Sequence, residues 1–160
     1  MSYLELGFGK ERPFQKKPLL LELVPSSSWG ANLRSELPKK EWDRLRKSVY
    51  ARSEGRCEVC GGSGSLHPVE AHERWSYDDG TRVQKLLGIE ALCPRCHECR
   101  HLGRAINVGN GRRALAHLRK VNGWTKKEVD SHVEKAFETW ERRSRESWTL
   151  DLTWLNDAEI

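Results

Sequence analysis

Two Cys-x-x-Cys pairs, Cys57/Cys60 and Cys93/Cys96, separated by 32 residues, limit what this chain can fold into more than any other feature. Each pair delivers two thiolates from one tight turn, and zinc takes four soft ligands in a tetrahedron, so two such knuckles complete one structural site. Gly61 after the first pair and Pro94 inside the second suit the turns that knuckles need. Hydrophobic residues are only 37% of the 160 and charged ones 32%, which is apolar material for one modest core. A Zn²⁺ tying distant segments together would therefore contribute folding free energy outright. Cys99 has no partner left and is expected to pack inward from a helix. The N-terminus shows no basic segment followed by an apolar one, so the thiols favour metal over disulfides and a reducing, cytoplasmic location. The longest apolar stretch, Pro18 to Pro25, is interrupted by Glu22, well short of the roughly 18 uncharged residues of a membrane span.

Periodicity around the knuckles predicts an α+β fold. Residues 1–36, with scattered Gly and Pro and a Ser26-Ser27-Ser28 run, read as an arm with at most a short strand near Leu19 to Val24. Trp42, Leu45 and Val49 recur at three and four, predicting an amphipathic helix from Pro38 to about Ser53, stopped by Gly55. A strand over 65–75, a turn at Asp79-Gly80 and a returning segment from Val83 to Leu92 make a hairpin between the knuckles. A helix from about His97 to Ile106 follows, then one marked by Ala114, Leu115, Leu118 and Val121 and ended at Asn122-Gly123. Thr125 and Glu128 form a capping box for a longer helix with Val129, Val133, Ala136, Phe137 and Trp140 on its buried face. Trp148, Leu150, Leu152 and Trp154 alternate with polar residues and predict a C-terminal strand. The seven tryptophans are expected to be core. The organisation is thus an arm (1–36), a zinc-binding core with its preceding helix (37–110), and C-terminal helices and strand packed on it (111–160).

Charge is uneven. Residues 95–127 hold nine Lys/Arg against Glu98 alone, a net of +8, whereas 128–160 hold four against nine, a net of −5. The basic block is a footprint for a polyanion and starts inside the second knuckle. It supplies Arg100, Arg104, Arg112, Arg113, Arg119 and Lys120 as expected nucleic-acid contacts, which would hold the backbone without specifying sequence. The acidic segment offers a surface for a protein partner or a second copy of the chain. A second ligand set lies beside the cysteines. His97 and His101 are four apart on the expected helix, and a hairpin pinned to that helix would bring His72 towards them. Imidazoles on strand and helix with a metal between them could bind a phosphodiester and activate water.

The order Cys57-Glu-Val-Cys60-Gly, Ala71-His72-Glu, hairpin, then Leu92-Cys93-Pro-Arg-Cys96-His97-Glu-Cys-Arg-His101 resembles the HNH endonucleases, in their zinc-containing branch. The resemblance spans roughly Trp42 to Ala105. It implies a ββα-metal hairpin and helix, DNA endonuclease activity by phosphodiester hydrolysis, and cleavage without base-specific chemistry. It places His72 as general base, His97 and His101 as ligands of a catalytic Mg²⁺ or other divalent cation, and Cys57, Cys60, Cys93 and Cys96 on structural Zn²⁺. Such nucleases often serve bacterial or phage defence. RNA as substrate stays open. Two positions depart from the family. Ala71 stands where an Asp or His ligand usually precedes the base, and Gly88 lies about where an Asn usually orients it. Glu70, Glu73 or Asp78 could supply the missing carboxylate, or His72 could itself be a ligand with the base elsewhere.

Two other readings compete. His97-Glu98-x-x-His101 also spells the helix motif of zinc proteases, but the knuckle occupies the place of the helical turn that motif needs before it. Ala71 and Gly88 favour a catalytically inactive zinc module that binds nucleic acid or acts as an adaptor for a partner protein.

Overall fold

The structure, a computed structural model, describes residues 15–158. It is α+β, with a three-stranded mixed sheet and helices on either side of a cysteine cluster. The described helices are α1 (Leu33–Glu36), α2 (Lys39–Ser53), α3 (Pro94–Arg100), α4 (Leu102–Asn107), α5 (Gly111–Asn122), α6 (Lys126–Ser144) and α7 (Trp154–Asp157); the strands are β1 (Glu70–Asp78), β2 (Val83–Leu92) and β3 (Thr149–Asp151). β1 and β2 are an antiparallel hairpin, and β3 lies parallel to β2, pairing Val83 with Thr149 and Lys85 with Asp151. Among the described residues no helix is long and apolar enough to cross a membrane.

Two apolar clusters share the molecule. One surrounds the knuckles, where Leu19, Leu92, Leu102 and Leu118 are buried with Cys57, Cys96 and Cys99. The other joins α2 to the sheet through Trp42, Leu45, Val49, Trp75, Leu86 and Ile89. Cys99 is fully buried and its thiol donates to the Ala114 carbonyl on α5, 3.2 Å away. Pro38 precedes α2 as its N-cap, and the helix ends with Glu54 left-handed at φ 53° and Gly55 at φ 71°. The capping box of Thr125 and Glu128 starts α6.

Several elements differ from the sequence expectation. No strand forms over Leu19 to Val24, because the backbone there is satisfied by helix side chains rather than by another strand. Leu19 N–H donates to Asn122 Oδ1, Leu21 N–H to His132 Nε2, and the Val24 carbonyl accepts from Trp140 Nε1. The segment thus lies across α5 and α6, and residues 1–14 of the arm fall outside the described residues. β1 starts at Glu70 rather than 65, since Gly64 N–H turns back onto the Pro68 carbonyl at 3.0 Å and Leu66 is exposed. The helix expected from His97 starts earlier, at Pro94, and is broken at His101, whose φ of −105° and ψ of 46° separate α3 from α4. The C-terminal strand is only three residues long, because Asp151 Oδ1 accepts from Thr153 N–H and turns the chain into α7. Of the tryptophans, Trp42 and Trp75 are buried, whereas Trp29 is 68% exposed and is not core.

Candidate functional site

The second knuckle is also the start of a helix. Pro94 opens α3, and the Cys93 thiol accepts from Cys96 N–H, so the sulfur sits at a helix N-terminus where negative charge is stabilised. The first knuckle closes through Gly61 N–H to the Cys57 carbonyl at 2.9 Å, with Gly61 left-handed at φ 77°. It is stitched to the end of β2, where Glu58 N–H donates to the Ala91 carbonyl and the Glu58 carboxylate accepts from Ala91 N–H. The four sulfurs of Cys57, Cys60, Cys93 and Cys96 lie within 4.8 Å of one another, and those of Cys60 and Cys93 are 3.7 Å apart. Zn–S bonds of ~2.3 Å in a tetrahedron put sulfurs about 3.8 Å apart, so this cluster fits a structural metal such as zinc. Crowding splits the thiols: hydrogen bonds from Cys93 and Cys96 hold Cys57 well below its ordinary pKa, while the hydrogen bond with Cys57 and burial push Cys93 up to about 11. Holding all four as thiolates in this space would take a cation.

A second cluster stands beside it. His72 on β1, His97 on α3 and His101 at the α3–α4 junction each place a ring nitrogen within 4.8 Å of the other two. The rings meet edge-on, with centroids 4.8 to 5.3 Å apart. Nε2 of His97 is 3.1 Å from Nε2 of His101, close to the ~3.3 Å between nitrogens on a tetrahedral zinc. Although α3 breaks at His101, His101 N–H still reaches the His97 carbonyl at 3.2 Å, which keeps both rings on one side. His72 is buried, and burial, then His97 and His101, lower its pKa to about 2; burial and His97 lower His101 to about 4. Both are neutral near pH 7, the state in which imidazole ligates a metal.

Of the three carboxylates open in the sequence, Glu70 is the one at the cluster. It shares the His72 face of β1, two residues away, and accepts a hydrogen bond from His97 Nδ1. This leaves His97 Nε2 free for a ligand role, the arrangement by which carboxylates orient metal-binding histidines. Glu73 faces the other way and accepts from Leu33 N–H at 2.7 Å, and Asp78 caps the hairpin turn through Gly80 and Thr81 N–H. Gly88 sits opposite Arg74 next to a bulge, away from the Glu90 that pairs with His72, and its φ of 153° suits glycine rather than Asn.

The expected basic contacts divide. Arg100 is a correction: it is 3% exposed, donates to the Leu20 carbonyl and to Glu90 at 2.8 Å, and stands 3.5 Å from Glu22, so it is a buried structural cation and not a phosphate contact. Arg104 is exposed at the histidine cleft. Arg112, Arg113, Arg119 and Lys120 are exposed on α5, with Arg113 paired to Glu98. That pairing takes up the carboxylate that a protease reading would need as base. The cleft over the histidines, about 730 Å³, is rimmed instead by Arg34, Lys39, Arg46 and Arg104. Lys39 and Arg46 share Asp43, whereas the other two rim cations, Arg34 and Arg104, are exposed. Arg34, Lys39 and Arg46 are missed by the sequence reading, since nothing local announces them at the cleft; Glu70 stood among three candidate carboxylates, and the structure puts it at the cluster.

Comparison of the chain with protein-family models, with curated proteins and with solved structures finds no match.

Proposed function

We propose that the histidine cluster is the metal centre of an HNH-type endonuclease that hydrolyses phosphodiester bonds in DNA. The observation that carries this reading is the convergence of His72, from a hairpin strand, with His97 and His101, from the end of the helix after it, at an open cleft that Arg34 and Arg104 also line. A divalent cation held there supplies Lewis-acid polarisation of the phosphate and lets a water act as nucleophile at neutral pH.

The chain's own residues do the rest. His97, turned by Glu70, and His101 present their Nε2 nitrogens side by side. His72 takes the third nitrogen position rather than the general-base one, because its ring is packed edge-on against both others and burial makes it a weak base. Ala71 then lacks a ligand without leaving the centre short of one. Arg34 and Arg104 hold the phosphates flanking the scissile one. Water adds to phosphorus, one P–O ester bond breaks, and an alcohol and a phosphomonoester leave through the open side. The cysteine cluster does no chemistry; it pins the first knuckle and α3 to the end of β2 and so holds the geometry.

The test is cleavage of supercoiled plasmid and of single-stranded DNA with Mg²⁺, Mn²⁺ or Ni²⁺, comparing wild type with His97→Ala and His72→Ala and measuring DNA affinity on the same samples. Metal-dependent nicking abolished in both variants, with affinity retained, supports the nuclease. Salt-sensitive binding by the wild type with no cleavage under any metal makes the chain the non-catalytic binding module.

A further inference from the structure

Beside the histidine centre lies a cleft that metal chemistry does not use. It encloses about 420 Å³, the size of a small-ligand pocket, between Leu23, Val24, Trp29, Ile106, Phe137 and Trp140. His101 and Arg104 form its edge, and Trp29, His101 and Arg104 also line a space of about 460 Å³ against His72 and His97, so this cleft adjoins the histidine centre. Its walls are unusual for a molecule this polar: Trp29 is 68% exposed and Ile106 48%, in a chain with only 37% hydrophobic residues. Trp29 is nonetheless held in place. Its Nε1 and that of Trp140 both donate to the Val24 carbonyl, at 3.0 and 2.9 Å, and the ring centroids stand 6.4 Å apart. The indole faces are therefore presented by a fixed wall and not by a swinging side chain.

We infer that this cleft receives an unpaired nucleobase, stacked on Trp29, from the strand whose phosphate lies at the histidine centre. The substrate is thus single-stranded or locally unpaired nucleic acid rather than intact duplex. The inference rests on the nuclease reading and names its substrate class. An aromatic face accepts any base, but only one that has left the helical stack, because in a duplex both faces of each base are covered. Arg104 supplies the charge complementarity: it reaches the backbone between the base in the cleft and the phosphate at the histidines, where a purely apolar ligand would leave it unused.

Anisotropy with labelled oligonucleotides, without added divalent cation so that nothing is cut, tests this. The probes are a single strand, the same strand in a perfect duplex, that duplex with an unpaired bulge, and an abasic strand. Wild type is expected to prefer the single strand and the bulge. Trp29→Ala should weaken both by about tenfold, within the range of one base stacked on an aromatic ring, and leave the duplex and abasic strand unchanged. Trp29→Phe should restore most of the loss. Equal weakening on all four probes, or no loss, overturns the inference, as does a Trp29 emission that acrylamide cannot reach in the free protein. The two readings separate cleanly. Cleavage that survives while the Trp29 pattern fails removes only this inference. A Trp29 pattern that holds in a protein that never cuts removes only the nuclease.

Discussion

Nε2 of His97 and Nε2 of His101 stand 3.1 Å apart, in a protein where the four sulfurs of a separate cluster are also gathered within 4.8 Å. The three histidines and the four cysteines each gather donor atoms closely enough to hold a metal ion, so the chain has two candidate metal centres of different chemistry. Wild type is expected to bind two divalent ions per chain by mass spectrometry under native conditions. Cys93→Ser should lose the tighter one and the cooperative thermal transition with it. His101→Ala should lose only the weaker one and stay folded.

Glu70→Gln isolates the hydrogen bond to His97 Nδ1. Glu70 is at the start of β1 and half-buried, so the fold should be unchanged. Metal affinity at the histidines, read by calorimetry with Ni²⁺ on zinc-loaded protein, should fall roughly 10- to 100-fold, the usual cost of removing a carboxylate behind a ligating histidine. Unchanged affinity would show that Glu70 orients nothing.

Arg100 holds three segments at once through the Leu20 carbonyl, Glu22 and Glu90. Arg100→Met removes the cation and leaves Glu90 buried and unpaired, at a cost of about 3 kcal/mol in urea denaturation. Adding Glu90→Leu should return much of that loss, because the remaining charge goes with it. A single variant as stable as wild type would contradict the burial of this pair.

Acid should destabilise the protein from near neutrality. His72, His101 and His132 all have lowered pKa values in the fold, at about 2 and about 4 for the first two, with burial the leading cause in each. Their contribution is full above the unfolded value of 6.5, where they are neutral in both states. As pH falls below 6.5 the unfolded chain takes up protons that the folded one refuses, and stability declines towards pH 4 and below. His132 adds a structural reason, since its Nε2 must stay unprotonated to accept from Leu21 N–H. Urea midpoints of zinc-loaded protein should drop between pH 7.5 and 5, and less steeply in His72→Leu.

The parts legible in sequence were those whose signal is local. The cysteine spacing, the hairpin turn at Asp79-Gly80, the boundaries of β2 and the capping box of α6 all follow from residues within a few positions of each other. The failures share a cause. Leu19 to Val24 is apolar enough for a short strand, but Asn122, His132 and Trp140 took its hydrogen bonds, and they are about a hundred residues away. Arg100 reads as one more base in a basic block until Glu22 and Glu90 are folded against it. Trp29 counts as core on composition and turns out to be an exposed wall.

The sequence by itself determined that four thiols would meet, that a hairpin would lie between them and that two histidines would follow one turn apart, because turn chemistry and periodicity act over short distances. Only the tertiary structure decided which carboxylate stands behind His97, which arginines rim the cleft and which tryptophan is left bare. Those are choices between chemically equal residues, and they are made by which surfaces pack, a property of distant segments meeting that no local pattern records.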